Sequence, residues 1–135
     1  MTVSVSRITV TIEKWKVKVQ SVEDLDVFKL SHELALKIYK LVNKFPADER
    51  FGLVVQMQRS AYSIPMNLME GSHRLSKKEY RQFVGIARGS AGEMKYQLLL
   101  AKDVGYITGR EYSELRQDYE RVSQMLTKLA QSLAK

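Results

Sequence analysis

Residues 76–105 read SKKEYRQFVGIARGSAGEMKYQLLLAKDVG, a long stretch without proline. Ser76 and Glu79 form a Ser-x-x-Glu capping box at its start, and Gly105 suits the C-terminal cap of a helix. Between them, apolar and small residues recur at the three- and four-residue steps of one buried helix face: Tyr80, Phe83, Ala87, Ala91, Met94, Leu98 and Ala101. The stretch predicts one long amphipathic helix.

Three further segments have the same periodicity. The first begins near residue 24 and ends at Pro46, the second covers about residues 48–72, and the last opens with a second capping box at Thr108 and Glu111. The inferred connections are short, which favours antiparallel neighbours. We therefore predict an all-α fold, an up-down-up-down antiparallel four-helix bundle, as one domain over residues 24–135.

Residues 1–23 form a separate N-terminal extension. The segments ITVTI and WKVKV alternate like strands, but only Glu13 and Lys14 separate them, without the Gly or Asn of a tight hairpin. A lone two-stranded ribbon is marginal in water. The extension is predicted to be strand-like or flexible, either a loose basic tail or an arm that pairs with a neighbouring subunit.

Composition narrows the classes of function. There is no cysteine among the 135 residues, which excludes disulfides, thiol nucleophiles and iron–sulfur sites. The apolar runs are much shorter than the roughly 20 residues of a membrane span, and a signal-peptide pattern is missing. We expect a cytoplasmic protein with no membrane partner. Lys and Arg number 22 against 15 acids, giving a net charge of +7, and this excess favours polyanionic partners.

Catalytic and metal-binding motifs are weak. Glu70 and His73 have the E-x-x-H spacing of di-iron bundles, but such sites need a second E-x-x-H and two more carboxylates. His32, the only other histidine, has no acid three residues before it. No zinc-protease, phosphate-loop or nucleophile-elbow motif occurs. We expect neither an enzyme nor a metal or cofactor site.

Cations concentrate where the third helix begins. Free backbone amides and the positive dipole end at a helix N-terminus favour phosphates. A solvated surface without a ligand is the alternative interpretation. The residues predicted to bind nucleic acid, RNA or alternatively DNA, are Arg59, Arg74, Lys77, Lys78, Arg81 and Arg88.

The stretch SIPMNLMEGSHR, residues 63–74, is interpreted as a joint in the scaffold. Pro65 cannot donate to the carbonyl of Ala61, so the second helix should bend there, with Ser60 or Ser63 compensating that carbonyl. Gly71 is expected to close the helix. Further on, Gly85 and Gly89 form a G-x-x-x-G step, a flat strip against which another helix packs closely.

The chain resembles the four-helix bundle family of 23S rRNA intervening-sequence proteins, over roughly residues 24–134. The resemblance rests on Ser63-Ile64-Pro65-x-Asn67 followed by Glu70-Gly71, on Ser76-Lys77-Lys78-Glu79, and on Ile86-Ala87-Arg88-Gly89-Ser90 with the Glu93 that follows. There are mild departures from the family pattern: Phe28 stands where the family usually has Trp, Met66 and Met69 replace smaller residues, and Gly92 adds flexibility within the third helix.

The resemblance implies a homopentamer of four-helix subunits with a basic surface for nucleic acid, and no established catalysis. A related branch, the accessory variability determinants of diversity-generating retroelements, binds a reverse transcriptase and its template RNA, and this is the alternative function. The residues assigned to structure or assembly are Pro65, Asn67, Glu70, Gly71, Gly89 and Glu93.

Overall fold

The computed structural model describes residues 21–135, so the strand-like segments predicted in the extension lie outside the described residues. Short 3-10 turns at Val22–Asp24, Val42–Lys44 and Ala47–Glu49 accompany the first helix and its connection to the second. The four helices are α1 (Asp26–Leu41), α2 (Leu53–Ser72), α3 (Lys77–Asp103) and α4 (Gly109–Leu133). The predicted all-α class is confirmed for this part of the chain.

The helices pack as a four-membered bundle. Each contacts the next along the chain, and α1 also contacts α4, which leaves α1 diagonal to α3 and α2 diagonal to α4. The centre is filled from all four helices by side chains such as Ile38, Met57, Met94 and Leu126, each fully buried. Burying a side chain of this size contributes about 1.5–3 kcal/mol. This shared core fixes which side chains of α3 face α4 and which face α2.

The second helix begins at Leu53, five residues later than predicted. After Pro46 the chain instead makes a 3-10 turn, and Gly52 stands at the helix N-cap. The Glu49 carboxylate, outside the helix, accepts from the Leu53 amide at 3.1 Å and from the Tyr106 hydroxyl at 2.8 Å. If the helix began before Glu49, the Glu49 carboxylate could not cap the Leu53 amide and would lose its hydrogen bond to Tyr106 in the α3–α4 connection.

The third helix ends at Asp103, and Gly105 follows its C-cap residue as the glycine that the sequence predicted for this helix end. The φ of Gly105, +88°, lies in the left-handed region, which glycine adopts without steric cost. The Gly105 amide donates to the Lys102 carbonyl at 3.0 Å, and the Tyr106 amide donates to the Ala101 carbonyl at 2.8 Å. This is the Schellman arrangement, which satisfies the last carbonyls of the helix.

The buried face of α3 differs from the prediction at its N-terminal end. Tyr80 and Phe83 are only partly buried, whereas Val84 and Ser90 are buried. Ala87, Ala91, Met94, Leu98 and Ala101 are buried as predicted. The first turns of α3 lie at the end of the bundle, where the two rings pack on α2 with their outer edges in solvent.

The two predicted capping boxes differ. At α4, Thr108 Oγ1 accepts from the Glu111 amide and the Glu111 carboxylate accepts from the Thr108 amide, so the box is complete. At α3, Ser76 Oγ accepts from the Glu79 amide at 3.1 Å, but the Glu79 side chain does not return a bond. The box predicted at Ser76 is therefore only half formed.

Within residues 21–135, no helix combines the length and the apolar character needed to cross a membrane.

Candidate nucleic-acid interface

Arg81 and Arg88 point from α3 across to α4. Arg81 Nε donates to the Ala130 carbonyl at 3.0 Å, and Arg88 Nε donates to Thr127 Oγ1 at 2.8 Å. Because they are seven residues, or nearly two turns, apart, they share one side of α3, about 10.5 Å from each other. The packing of α3 on α4 thus holds two of the six predicted cations in fixed orientations.

Lys95 extends the same line and was absent from the predicted residues. It lies seven residues beyond Arg88, and its Nζ is 2.7 Å from the Glu120 carboxylate of α4. We call Arg81, Arg88 and Lys95 the cation row. The seven-residue repeat was visible in the sequence, but only the packing against α4 shows that the three side chains line one edge.

A cavity of about 260 Å³ opens beside the cation row, between α3 and α4. We call it the α3–α4 groove, and it is lined by Arg88, Gly92, Lys95, Glu120, Ser123, Gln124 and Thr127. Glu120 is its only acid, and it also accepts from Arg116 at 3.2 Å. The hydrogen bond from Lys95, followed by that from Arg116, lowers the pKa of Glu120 below its usual value.

Lys77 and Lys78 are the first two residues of α3, and both are exposed. They precede Arg81 by four and three residues, the spacing of neighbours on a helix surface. In the described part of the chain neither makes an ion pair. The first turn of α3 therefore places two charged amines beside the helix's own N-terminal amides.

Arg74 and Arg59 lie apart from the cation row. Arg74 pairs with Glu70, four residues earlier on the chain, at 3.0 Å, and its guanidinium lies 4.7 Å from the centre of the Phe83 ring. Arg59 is on α2, where it donates to Gln56 at 3.4 Å, and α2 is diagonal to α4. The structure therefore does not join these two arginines to the cation row.

A polar network joins α2 to α3 at the proline. Ser63 Oγ is 2.8 Å from Ser90 Oγ, and Asn67 Nδ2 donates to the Ser63 carbonyl at 2.8 Å and to its Oγ at 3.0 Å. Ser60 Oγ donates to Glu93 at 3.4 Å. The expectation that Ser60 or Ser63 compensates the Ala61 carbonyl is wrong, because both hydroxyls turn toward α3. Pro65 is buried inside an unbroken helix.

Gly71 has a different role from the one predicted. It does not close α2, which continues to Ser72, and its φ is not positive. A Cβ at this position would lie 2.8 Å from Phe83 Cβ and 2.9 Å from Tyr80 Cδ1. Gly71 is therefore the place where the backbone of α2 touches α3, and no other residue fits there without movement.

Within the subunit, no helix packs on the strip at Gly85 and Gly89. A Cβ at either position would meet no atom within 4 Å. The side chains of Ile86 and Tyr96 nearby are 52% and 62% exposed. Both glycines face away from the bundle centre, since the core of α3 occupies its other side. Within residues 21–135 nothing covers this face.

Glu70 and His73 are engaged in local hydrogen bonds. Glu70 holds Arg74, and His73 Nδ1 is 2.9 Å from the Met69 carbonyl. No group of three acidic or histidine side chains in the described ranges could hold a metal ion.

The comparisons with known proteins agree with this architecture. The family model described as "23S rRNA-intervening sequence protein" matches residues 23–128. The chain belongs to this family. A crystal structure of a protein with unknown function from the S23 ribosomal protein family of Bacteroides thetaiotaomicron VPI-5482 is similar to it, with a TM-score of 0.70 and 27% identity over 78% of this chain and 95% of that one.

A comparison with curated proteins finds no match. Neither the description of the 23S rRNA-intervening sequence family nor that of its solved S23 relative names a catalytic activity. The family assignment therefore agrees with the predicted bundle and leaves the ligand to be argued from the surface.

Proposed function

We propose that this protein is a non-catalytic, RNA-binding homo-oligomer that acts in the cytoplasm. The observation that carries the proposal is the alignment of Arg81 and Arg88 along one edge of the bundle, with Lys77 and Lys78 at its start. The net charge of +7 supports it, because such an excess attracts polyanions over long range. DNA is the competing ligand that the binding experiment must include.

Two kinds of phosphate contact are available at this edge. Arginine guanidinium groups bind phosphate oxygens through paired hydrogen bonds. At the N-terminus of α3, the amines of Lys77 and Lys78 add to the partial positive charge of the helix end. Together they suit a backbone of repeated phosphates, and they do not require recognition of base edges.

Replacing Lys77, Lys78 and Arg81 together with Gln tests this surface. Each lost contact with single-stranded RNA should reduce the slope of log affinity against log salt by roughly 0.7, so the triple variant should lose about 2. Lys29→Gln, Lys37→Gln and Lys40→Gln together form the matched control, because they remove the same charge from α1, which is diagonal to α3. Equal slopes for the two variants would contradict a specific surface at α3.

For the assembly we propose a ring of identical subunits, most simply the pentamer that the family resemblance implies. Closed rings use two different faces of each subunit, and two exposed apolar faces are present. One is the strip of Gly85 and Gly89 with Ile86 and Tyr96 on α3; the other includes Leu36 and Tyr39 on α1. Small residues let a neighbouring backbone approach closely, and aromatic residues are enriched at interfaces.

Sedimentation equilibrium at micromolar concentration tests the assembly, and a monomer would contradict it. Gly89→Ala is the informative variant. Alanine raises helix propensity by about 1 kcal/mol and meets no atom in the subunit. A smaller assembly would therefore reflect a lost interface and not an unfolded subunit, whereas an unchanged assembly would remove the strip from the interface.

The second candidate is an accessory protein of a diversity-generating retroelement that binds a reverse transcriptase and its template RNA. The exposed apolar side chains of Leu36, Tyr39 and Phe51 favour a protein partner. Co-purification with a reverse transcriptase, together with RNA binding that is weak without it, would support this candidate over a self-sufficient RNA-binding ring. A coding position inside a 23S rRNA gene would support the ring.

A further inference from the structure

In the α3–α4 groove, the single carboxylate of Glu120 pairs with two cations. Lys95 is paired with Glu120, whose carboxylate also holds Arg116. Arg88 faces the same cavity from one end. Of these residues, Arg88 is among those predicted from the sequence, whereas Lys95, Glu120 and Arg116 are not.

We propose that the α3–α4 groove binds the phosphodiester backbone of a single nucleic-acid strand between Arg88 and Lys95, and that Glu120 holds Lys95 until a phosphate displaces it. This inference rests on the proposed function and names the contact residues, the ligand class and an internal competitor for the same cation.

Arg88 is the fixed end of the site. Its Nε is engaged by Thr127 Oγ1, which itself donates to the Ser123 carbonyl at 3.0 Å. This chain of bonds sets the plane of the guanidinium. Within residues 21–135 the two Nη groups make no hydrogen bond, so both are available as donors to phosphate oxygens.

Gly92 makes room for the strand. It is one turn after Arg88 and three residues before Lys95, and a Cβ there would meet no atom within 4 Å. Any side chain at this position would project into the space between the two cations. Because glycine has no side chain, a sugar–phosphate chain can approach the backbone of α3 closely at this position.

Glu120 can release Lys95 without being left unpaired. The Lys95 side chain is 20% exposed and that of Glu120 is 43% exposed, so the pair is reached by solvent and its strength is modest. Arg116 Nη1 already lies 3.2 Å from the Glu120 carboxylate, so this carboxylate keeps a cationic partner when a phosphate takes Lys95. In this exchange Lys95 pairs with the phosphate instead of Glu120, and no charged side chain is left without a partner.

The dimensions favour one strand over a duplex. Packed helices have axes roughly 8–10 Å apart, and the cavity between α3 and α4 is about 260 Å³. A single strand can follow the cation row along its repeat of about 10.5 Å. A duplex is stiff over this length, so it can lay only one backbone edge along the rim of so narrow a groove and cannot bend that strand into it.

The test uses the full chain and a fluorescently labelled single-stranded oligouridylate, with affinity measured at several salt concentrations. Arg88→Gln and Lys95→Gln should each weaken binding, by about tenfold for Arg88, and each should reduce the salt slope by roughly 0.7. Glu120→Gln removes the competitor and should tighten binding roughly two- to fivefold. Most of that gain should vanish in the Lys95→Gln background.

The controls are Arg110→Gln and Glu114→Gln, which change the same charges in an exposed pair at the start of α4. Neither should alter the affinity by a comparable amount. Circular dichroism and sedimentation must match wild type for every variant compared. A Glu120→Gln affinity equal to or weaker than wild type overturns the role of Glu120, and a duplex that binds as tightly as the single strand overturns the strand preference.

The two proposals fail in different ways. If wild type binds the oligouridylate and the Lys77, Lys78 and Arg81 variant loses it, while the groove variants bind normally, the groove inference falls and the proposed function stands. If wild type binds no RNA at any salt concentration, both fall.

Discussion

Lys44 Nζ lies 2.6 Å from the carboxylate of Glu111, although 67 positions separate the two residues. The same carboxylate accepts from the Thr108 amide at 2.9 Å and completes the capping box of α4. The Glu111 side chain thus caps the N-terminus of α4 and connects this helix to the turn that follows α1. The hydrogen bonds from Lys44 and from the Thr108 amide lower the pKa of Glu111.

Glu111→Gln should destabilise the protein slightly at neutral pH, by less than about 1 kcal/mol. Glutamine retains an oxygen for the Thr108 amide but loses the charge for Lys44. Because the folded-state pKa of Glu111 is lowered, its contribution is complete above the ordinary glutamate pKa and is lost as the pH falls through the folded value. Urea unfolding at several pH values measures this. A difference between variant and wild type that persists in strong acid would contradict the assignment.

Gly71→Ala should destabilise the bundle by about 1–3 kcal/mol, since the new methyl group would overlap Phe83 and Tyr80 and force α2 and α3 apart. Gly109→Ala is the control, because the same change at the start of α4 meets no atom within 4 Å. Denaturant unfolding compares the two. Equal stability of both variants would show that the close contact between α2 and α3 relaxes without cost.

Tyr119→Phe should stabilise the protein, by about 1 kcal/mol. The Tyr119 side chain is fully buried, and among the described residues its hydroxyl has no hydrogen-bond partner. Burial also raises the pKa of this hydroxyl well above its usual value. Phenylalanine keeps the ring and removes the unsatisfied group. Thermal unfolding measures the change, and a lower midpoint for the variant would mean that the hydroxyl is satisfied in solution.

Pro65→Ala should keep the helical content while changing the shape of α2 or the assembly. Alanine restores a backbone donor for the Ala61 carbonyl and suits a helix interior. A crystal structure and sedimentation of the variant measure both effects. An unchanged assembly with an equally shaped α2 would mean that packing against α1 and α3, and not the proline, sets the path of this helix.

Local signals were sufficient for most of the fold. The caps at Ser76, Thr108 and Gly105 involve residues within a few positions of each other. The apolar residues of α3 and α4 recur at three- and four-residue steps because each helix turns one face to the bundle core. The start of α2 was misplaced because the Glu49 carboxylate satisfies the Leu53 amide from outside the helix and binds Tyr106, which is 57 positions away. A contact at that separation leaves no local pattern.

The candidate site was predictable only in part, for the same reason. The cations at the start of α3 stand out by composition, but their separation from Arg59 and Arg74 follows from which helix is diagonal to which. The position of Lys95 in the site depends on its pairing with Glu120 on another helix, which no local pattern indicates. The sequence predicts a helix end at Gly71, because the close contact of Gly71 with Phe83 exists only once α2 and α3 are packed.

The affinity of the assembled protein for single-stranded RNA, compared with that of the variant carrying Lys77→Glu, Lys78→Glu and Arg81→Glu, tests the central claim most directly. The account predicts that the variant keeps its helical content and its assembly, loses most of its RNA affinity, and shows a much weaker dependence on salt. A folded and assembled variant that binds RNA with wild-type affinity and salt dependence would contradict the account.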